Sequence, residues 1–145
     1  MKNIVVIYWS GTGNTRSMAS AVAEGARIDG ITVQVLEAGK ASPDDVLKAH
    51  AVALGCPAMG NEVLEEEEME PLVQSLTVEN MTEKPLVLFG SYDWGDGQWM
   101  RDWQERMEVA DAKLVAEGLI IQNTPDEAGL ASCRELGKKL ASALV

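Results

Sequence analysis

Short apolar runs alternate with helix-length segments along the whole of this 145-residue chain, and that alternation constrains its fold more than any other feature. Residues 3–8 (NIVVIY) are an apolar run too short for a helix, which predicts a strand buried on both faces. Residues 14–28 then show helical spacing, with Met18, Ala19, Val22, Ala23 and Ala26 on one face and Arg16, Ser20, Glu24 and Arg27 elsewhere. Residues 31–36 (ITVQVL) alternate apolar and polar side chains, as a strand nearer a sheet edge does. Ser42 before Pro43 predicts a capped helix start. Residues 50–55 (HAVALG) and 86–90 (LVLFG) predict the third and fourth strands. Between them Met69, Leu72, Val73 and Leu76 share a helical face whose start is blurred by Pro71. Residues 98–109 predict a helix and 113–122 a fifth strand. Thr124-Pro125-Asp126-Glu127 reads as a capping box opening a last helix, with Leu130, Cys133, Leu136, Leu140 and Leu144 on its inner stripe.

Strands that each lead into a helix imply an α/β fold, a doubly wound five-stranded parallel sheet with helices on both faces and right-handed crossovers. The length suits one domain spanning residues 1–145. Such sheets bind ligands outside the carboxyl ends of their strands, where the strand order reverses.

Composition narrows the ligand. Twelve basic against 23 acidic side chains leave a formal charge of −11, which opposes nucleic-acid binding because phosphate contacts need clustered cations. No apolar run reaches the length of a membrane span, and no signal-peptide pattern opens the chain, so a cytoplasmic protein is expected. Cys56 and Cys133 lie far apart with only His50 to accompany them, too few ligands for structural zinc. They are expected to be buried thiols in a reducing compartment.

Three loops fall at the carboxyl ends. The first strand runs into Ser10-Gly11-Thr12-Gly13-Asn14-Thr15 and then a helix, so unpaired amides and the helix dipole would face an anion there. It is no Walker A loop, since no Gly-Lys-Ser/Thr follows, and Arg16 stands where a dinucleotide fingerprint needs its third glycine. Plain turn chemistry is the lesser alternative for the glycines if this loop is taken by itself. The third strand runs into Cys56-Pro57-Ala58-Met59-Gly60-Asn61-Glu62, and the fourth into Ser91-Tyr92-Asp93-Trp94-Gly95-Asp96-Gly97. Together they bring a methionine and two aromatics to the crevice, which suits a planar apolar ligand, although either Met59 or Trp94 alone would be read as packing.

Taken together, YWSGTGNT (8–15), LGCPAMGNEVLEE (54–66) and LFGSYDWGDGQWMRDW (88–103) resemble a flavodoxin, specifically the short-chain clostridial type. The resemblance spans nearly the whole chain. It implies sheet order 2-1-3-4-5, non-covalent FMN, and an electron carrier rather than an enzyme. By position, Ser10, Gly11, Thr12, Gly13, Asn14 and Thr15 would wrap the FMN phosphate. Pro57 and Ala58 would lead into a ring site where Met59 and Trp94 lie against opposite faces. The peptide between Gly60 and Asn61 would sit beside flavin N5, and Glu62 would approach N3. Ser91, Tyr92, Asp93 and Gly95 would make backbone contacts to the ring or ribityl chain. Relatives of this type usually have glycine in place of Asp93, so a left-handed backbone there would be strained.

The same reading implies a low-potential shuttle between semiquinone and hydroquinone that serves redox enzymes. Gly60 is permissive at the second turn position and Asn61 tolerates φ > 0 at the third, so their peptide is suited to flip as N5 gains a hydrogen. The second electron would meet Asp93, Asp96, Glu62 and residues 65–68. One unit charge roughly 12 Å away, at an effective dielectric of about 20, costs about 1.4 kcal/mol, or about 59 mV. The acidic run is also what a solvated helix start looks like. With the net charge it points to redox partners with basic docking patches, to no nucleic acid or membrane partner, and to a monomer. Other readings fit less well. A response-regulator receiver needs acidic residues where this chain has Tyr8-Trp9-Ser10, and a cysteine phosphatase needs a Cys…Arg loop that is not there. A flavin reductase or a non-redox FMN module stays open, although His50 lies at a strand start, away from the crevice.

Overall fold

A computed structural model describes all 145 residues. Four parallel strands, β1 (Lys2–Tyr8), β2 (Ile31–Glu37), β3 (Ala51–Gly55) and β4 (Pro85–Tyr92), lie in the order β2-β1-β3-β4. Two short pieces, β5 (Lys113–Leu114) and β6 (Leu119–Gln122), share the fifth position, both parallel to β4. The order 2-1-3-4-5 expected from the resemblance is therefore present, with one correction. The fifth strand is not continuous over 113–122. Between the pairs Leu86–Leu114 and Phe89–Leu119, β4 advances three residues while the edge chain advances five, so two extra residues bulge out. The helix Gln98–Val109 holds the bulge: the Gly118 N–H donates to Gln104 Oε1 at 2.6 Å, and Gly118 lies bare against Met100.

The helices are α1 (Asn14–Ala26), α2 (Pro43–Lys48), α3 (Met69–Glu79), α4 (Gln98–Val109) and α5 (Glu127–Ser142). Strand side chains alternate between two cores. Val5, Ile7, Val52, Leu54, Leu86 and Leu88 face α2, α3 and α4, while Ile4, Val6, Ala51, Ala53, Val87 and Phe89 face α1 and α5. Burial on both faces is why the central strands are uninterrupted apolar runs, whereas edge strand β2 alternates.

Local signals set most helix ends. Ser42 N–H donates to Asp45 Oδ2 at 2.8 Å and opens α2 as expected. Pro71 is the third residue of α3, where its missing N–H would have had no helical partner anyway. The last helix starts later than Thr124 and Pro125 suggest. Its cap is Asp126, whose Oδ1 accepts the Gly129 N–H at 2.8 Å. The preceding residues are spent leaving the sheet, with the Asn123 N–H bonded to the Tyr92 carbonyl at 2.8 Å. No helix is long and apolar enough to cross a membrane.

Candidate functional site

From β1 the chain crosses to β2 on one side and later to β3 on the other, so a crevice opens at the carboxyl ends of β1 and β3. The first loop curls around its own hydroxyl: Ser10 Oγ accepts the amides of Gly13 (3.1 Å) and Arg16 (3.2 Å). Gly13, at φ +100°, makes the turn into α1. The amides of Gly11, Thr12 and Thr15 have no acceptor in the protein. The Gly13 and Arg16 amides thus converge on one oxygen at a helix N-terminus, and the three unpaired amides beside them are the donor set of an anion site. Arg16 is exposed beside it.

The Thr15 hydroxyl takes no part in that cradle. It is buried against Ser91 Oγ at 3.0 Å and accepts the Ser91 N–H at 3.3 Å. Because the Ser91 carbonyl accepts the Ala58 N–H at 3.0 Å, Ser91 has spent its polar groups beneath the crevice, where it fastens three loops together.

After β3 the chain runs beside β4 and folds back at Met59 and Val63, which exchange backbone hydrogen bonds of 2.9 and 3.0 Å. This pins both ends of a tight hairpin. Gly60 (φ +47°) and Glu62 (φ +56°) are left-handed within it; Asn61, expected to hold φ > 0, does not. Asp93 is not left-handed either; Gly95 and Gly97 make the turns of the third loop, so the strain expected at Asp93 does not arise. Its carbonyl accepts from Gln122 Nε2 at 3.1 Å. Trp94 is 61% exposed at the tip, and Val63 is 45% exposed across the crevice.

Beneath these loops Trp99 Nε1 donates to the Cys56 carbonyl at 3.1 Å, and the Trp99 ring meets Tyr92 at a centroid distance of 5.7 Å. Burial pushes the Cys56 thiol up to about 12 and the Cys133 thiol up to about 11, so neither is a nucleophile. Burial raises Glu65 as well, but amides outweigh it: Oε1 accepts from Glu68 and Met69 and Oε2 from Glu67, at 2.7–2.9 Å, and its proton affinity ends below the usual carboxylate range. One member of the acidic run is thus the cap of α3. Glu66 and Glu67 line a groove of about 620 Å³ together with Met59, Gly60 and Asn61. Trp9 walls both this groove and one of about 540 Å³ beside the first loop. In the sequence only its position directly before the glycine-rich turn marks Trp9 as a wall of the site. His50 is bound by Asn3 at the opposite end of the sheet.

A family model described as Flavodoxin matches residues 6–137. The chain is 45% identical over 137 residues to a flavodoxin of Clostridium beijerinckii, covering 94% of this chain and 98% of that one. It is 38% identical over 140 residues to a flavodoxin of Megasphaera elsdenii, covering 97% and 99%. The solution structure of the two-electron reduced Megasphaera elsdenii flavodoxin superposes with a TM-score of 0.84 over 96% of this chain and 98% of that one.

Proposed function

This chain belongs to the flavodoxin family, FMN-binding electron carriers that are not enzymes, and on that premise we propose that it is a low-potential one-electron carrier working on the semiquinone/hydroquinone couple of its FMN and serving redox enzymes. The residues present suit the cofactor. The unpaired amides of Gly11, Thr12 and Thr15 at the start of α1 supply donors for a phosphate without a buried cation, with the side chains of Thr12 and Asn14 beside them. Met59 and Trp94, on facing loops, offer sulfur and indole surfaces to a planar ring, with Tyr92 and Gly95 at its edge. The bound flavin supplies the one-electron chemistry; the chain supplies orientation and charge.

The observation that carries the proposal is the hairpin. Its stem is clamped at Met59 and Val63, while the Gly60 carbonyl and the Asn61 amide have no partner in the protein. That peptide turns without breaking a bond, so the Gly60 carbonyl is free to accept a hydrogen bond from N5–H. A valine at Gly60 meets open space, but its branched side chain disfavours φ +47° and stiffens the turn. In Gly60→Val the gap between the two one-electron potentials should narrow; an unchanged gap would overturn the flip.

Charge sets the second step. Glu62, Glu66, Glu67, Asp93 and Asp96 surround the crevice, and Arg101, bound to Asp96 at 2.9 Å, is the cation paired among them. Added negative charge is therefore opposed, which lowers the second potential. Exposed Trp94 and Val63 within this acidic rim suit a partner whose docking patch is basic with an apolar centre. We place the carrier in the cytoplasm as a monomer, where its two buried thiols stay reduced.

A further inference from the structure

We infer that Glu62 is a latch that fixes the spacing between the two walls of the ring site, the 59–63 hairpin and the N-terminus of α4. Its functional consequence rests on the FMN reading above; its geometry does not.

Glu62 Oε1 accepts the N–H of Gln98, the first residue of α4, at 3.2 Å. That amide is one of the orphan donors at the positive end of a helix, and Gly97, which precedes it, has no side chain to cap it. The cap comes instead from across the crevice, 36 residues earlier in the chain. Gly95 makes the crossing possible: a Cβ there would stand 2.5 Å from Glu62 Oε1. Glu62 also holds φ +56°, unusual for a residue with a long side chain and sustained only where surrounding contacts over-determine it. The nearby cation does not compete for the carboxylate, since Arg101 is engaged by Asp96 and by Gln98 Oε1. The Gln98 side-chain amide donates to Asp102 instead. Glu62 Oε2 has no protein partner and stays available to the flavin. One carboxylate therefore joins the loop bearing Met59 to the helix behind Trp94, and the cleft is preformed before a ring enters it. Glu62 is a positioning residue in this role, whatever further contact Oε2 makes.

The test separates reach from charge. Glu62→Gln keeps the length and an acceptor oxygen; Glu62→Asp keeps the charge but is one methylene too short; Glu62→Ala removes both. In the FMN-free protein, the Gln98 amide should exchange about five- to tenfold faster in the Asp and Ala variants and stay near wild type in Gln, the scale of a lost helix cap. No flavin contact contributes to that readout. Affinities for FMN and for riboflavin should then fall by a common factor in Asp and Ala and recover in Gln, because the phosphate loop is untouched. Unchanged Gln98 exchange in Glu62→Ala would overturn the latch. Faster exchange with unchanged riboflavin affinity would reduce Glu62 to an ordinary helix cap and overturn its role in the cleft. A wild-type protein that binds neither flavin would overturn the FMN reading, while Gln98 exchange would still decide the geometry.

Discussion

Two tryptophans one turn apart on α4 show how a single hydrogen bond divides otherwise similar residues. Trp99 and Trp103 are both buried, but Trp99 Nε1 reaches the Cys56 carbonyl while Trp103 Nε1 has no partner. A buried donor without an acceptor costs about 1–3 kcal/mol, so Trp103→Phe recovers part of what its smaller ring loses. Trp99→Phe loses the ring contacts and leaves the carbonyl unpaired as well. Thermal unfolding should rank Trp99→Phe clearly below Trp103→Phe; the reverse order would refute the assignment. Glu65 makes a second prediction. Its folded proton affinity lies below the unfolded value near 4.5, so its stabilisation is complete above that pH and fades as pH falls through the lower folded value. Glu65→Ala should cost about 0.5–2 kcal/mol at neutral pH, and the difference from wild type should shrink on acidification. A difference independent of pH would contradict the cap. Sequence alone placed Glu65 in an acidic run without showing which member turns inward, because that depends on three amides meeting one carboxylate in space. It likewise assigned the left-handed turn residue to Asn61 from propensity, whereas the clamp at Met59 and Val63 puts it at Glu62.

At the scale of elements, helices α1 and α5 meet closely because each lacks a side chain at the contact. A Cβ on Gly25 would lie 1.9 Å from the Arg134 carbonyl oxygen, and one on Gly137 2.0 Å from that of Val22. Backbone atoms on both sides leave no flexible neighbour to yield. Gly25→Ala and Gly137→Ala should each destabilise by roughly 1–3 kcal/mol despite alanine's better helix propensity, as overpacking does. Stabilisation in a denaturant titration would disprove the close approach. Mid-helix glycine was the available sign of this contact, and it names no partner. The strands and α4 were legible because burial on one or two faces imposes a period that the residues display. The broken fifth strand was not: its bulge is held by Gln104 and Met100 of α4, and no local pattern in 113–122 reports contacts made from another element. The start of α5 lies later than its capping pattern suggests for a related reason, since Asn123 is tied to Tyr92 and delays the cap to Asp126.

For the whole molecule, the charge is segregated. Residues 59–111 hold 14 of the 23 acidic and 3 of the 12 basic side chains, so the entire formal charge of −11 falls in the stretch that carries the hairpin, α3, the third loop and α4, and the rest of the chain sums to zero. Such a field orients an approaching basic partner toward the crevice, and salt screens it over about 10 Å at 0.1 M. Electron-transfer rates with a basic redox protein should fall on the order of tenfold as salt rises from millimolar to a few tenths molar; rates indifferent to salt would exclude steering. The three loops were legible as one site because a doubly wound sheet forces the ends of β1, β3 and β4 together, whatever their separation in sequence. The cross-crevice contact of Glu62 with α4 was not, because it depends on the bare backbone at Gly95. As proposed, these loops bind FMN and split its reduction into two separate steps. A stepwise reductive titration of the FMN-loaded protein, followed by its visible spectrum, tests this most directly. A half-reduced flavin should accumulate in high yield, with the second potential on the order of 100 mV or more below the first. Failure to bind FMN, or a single two-electron transition, would contradict it.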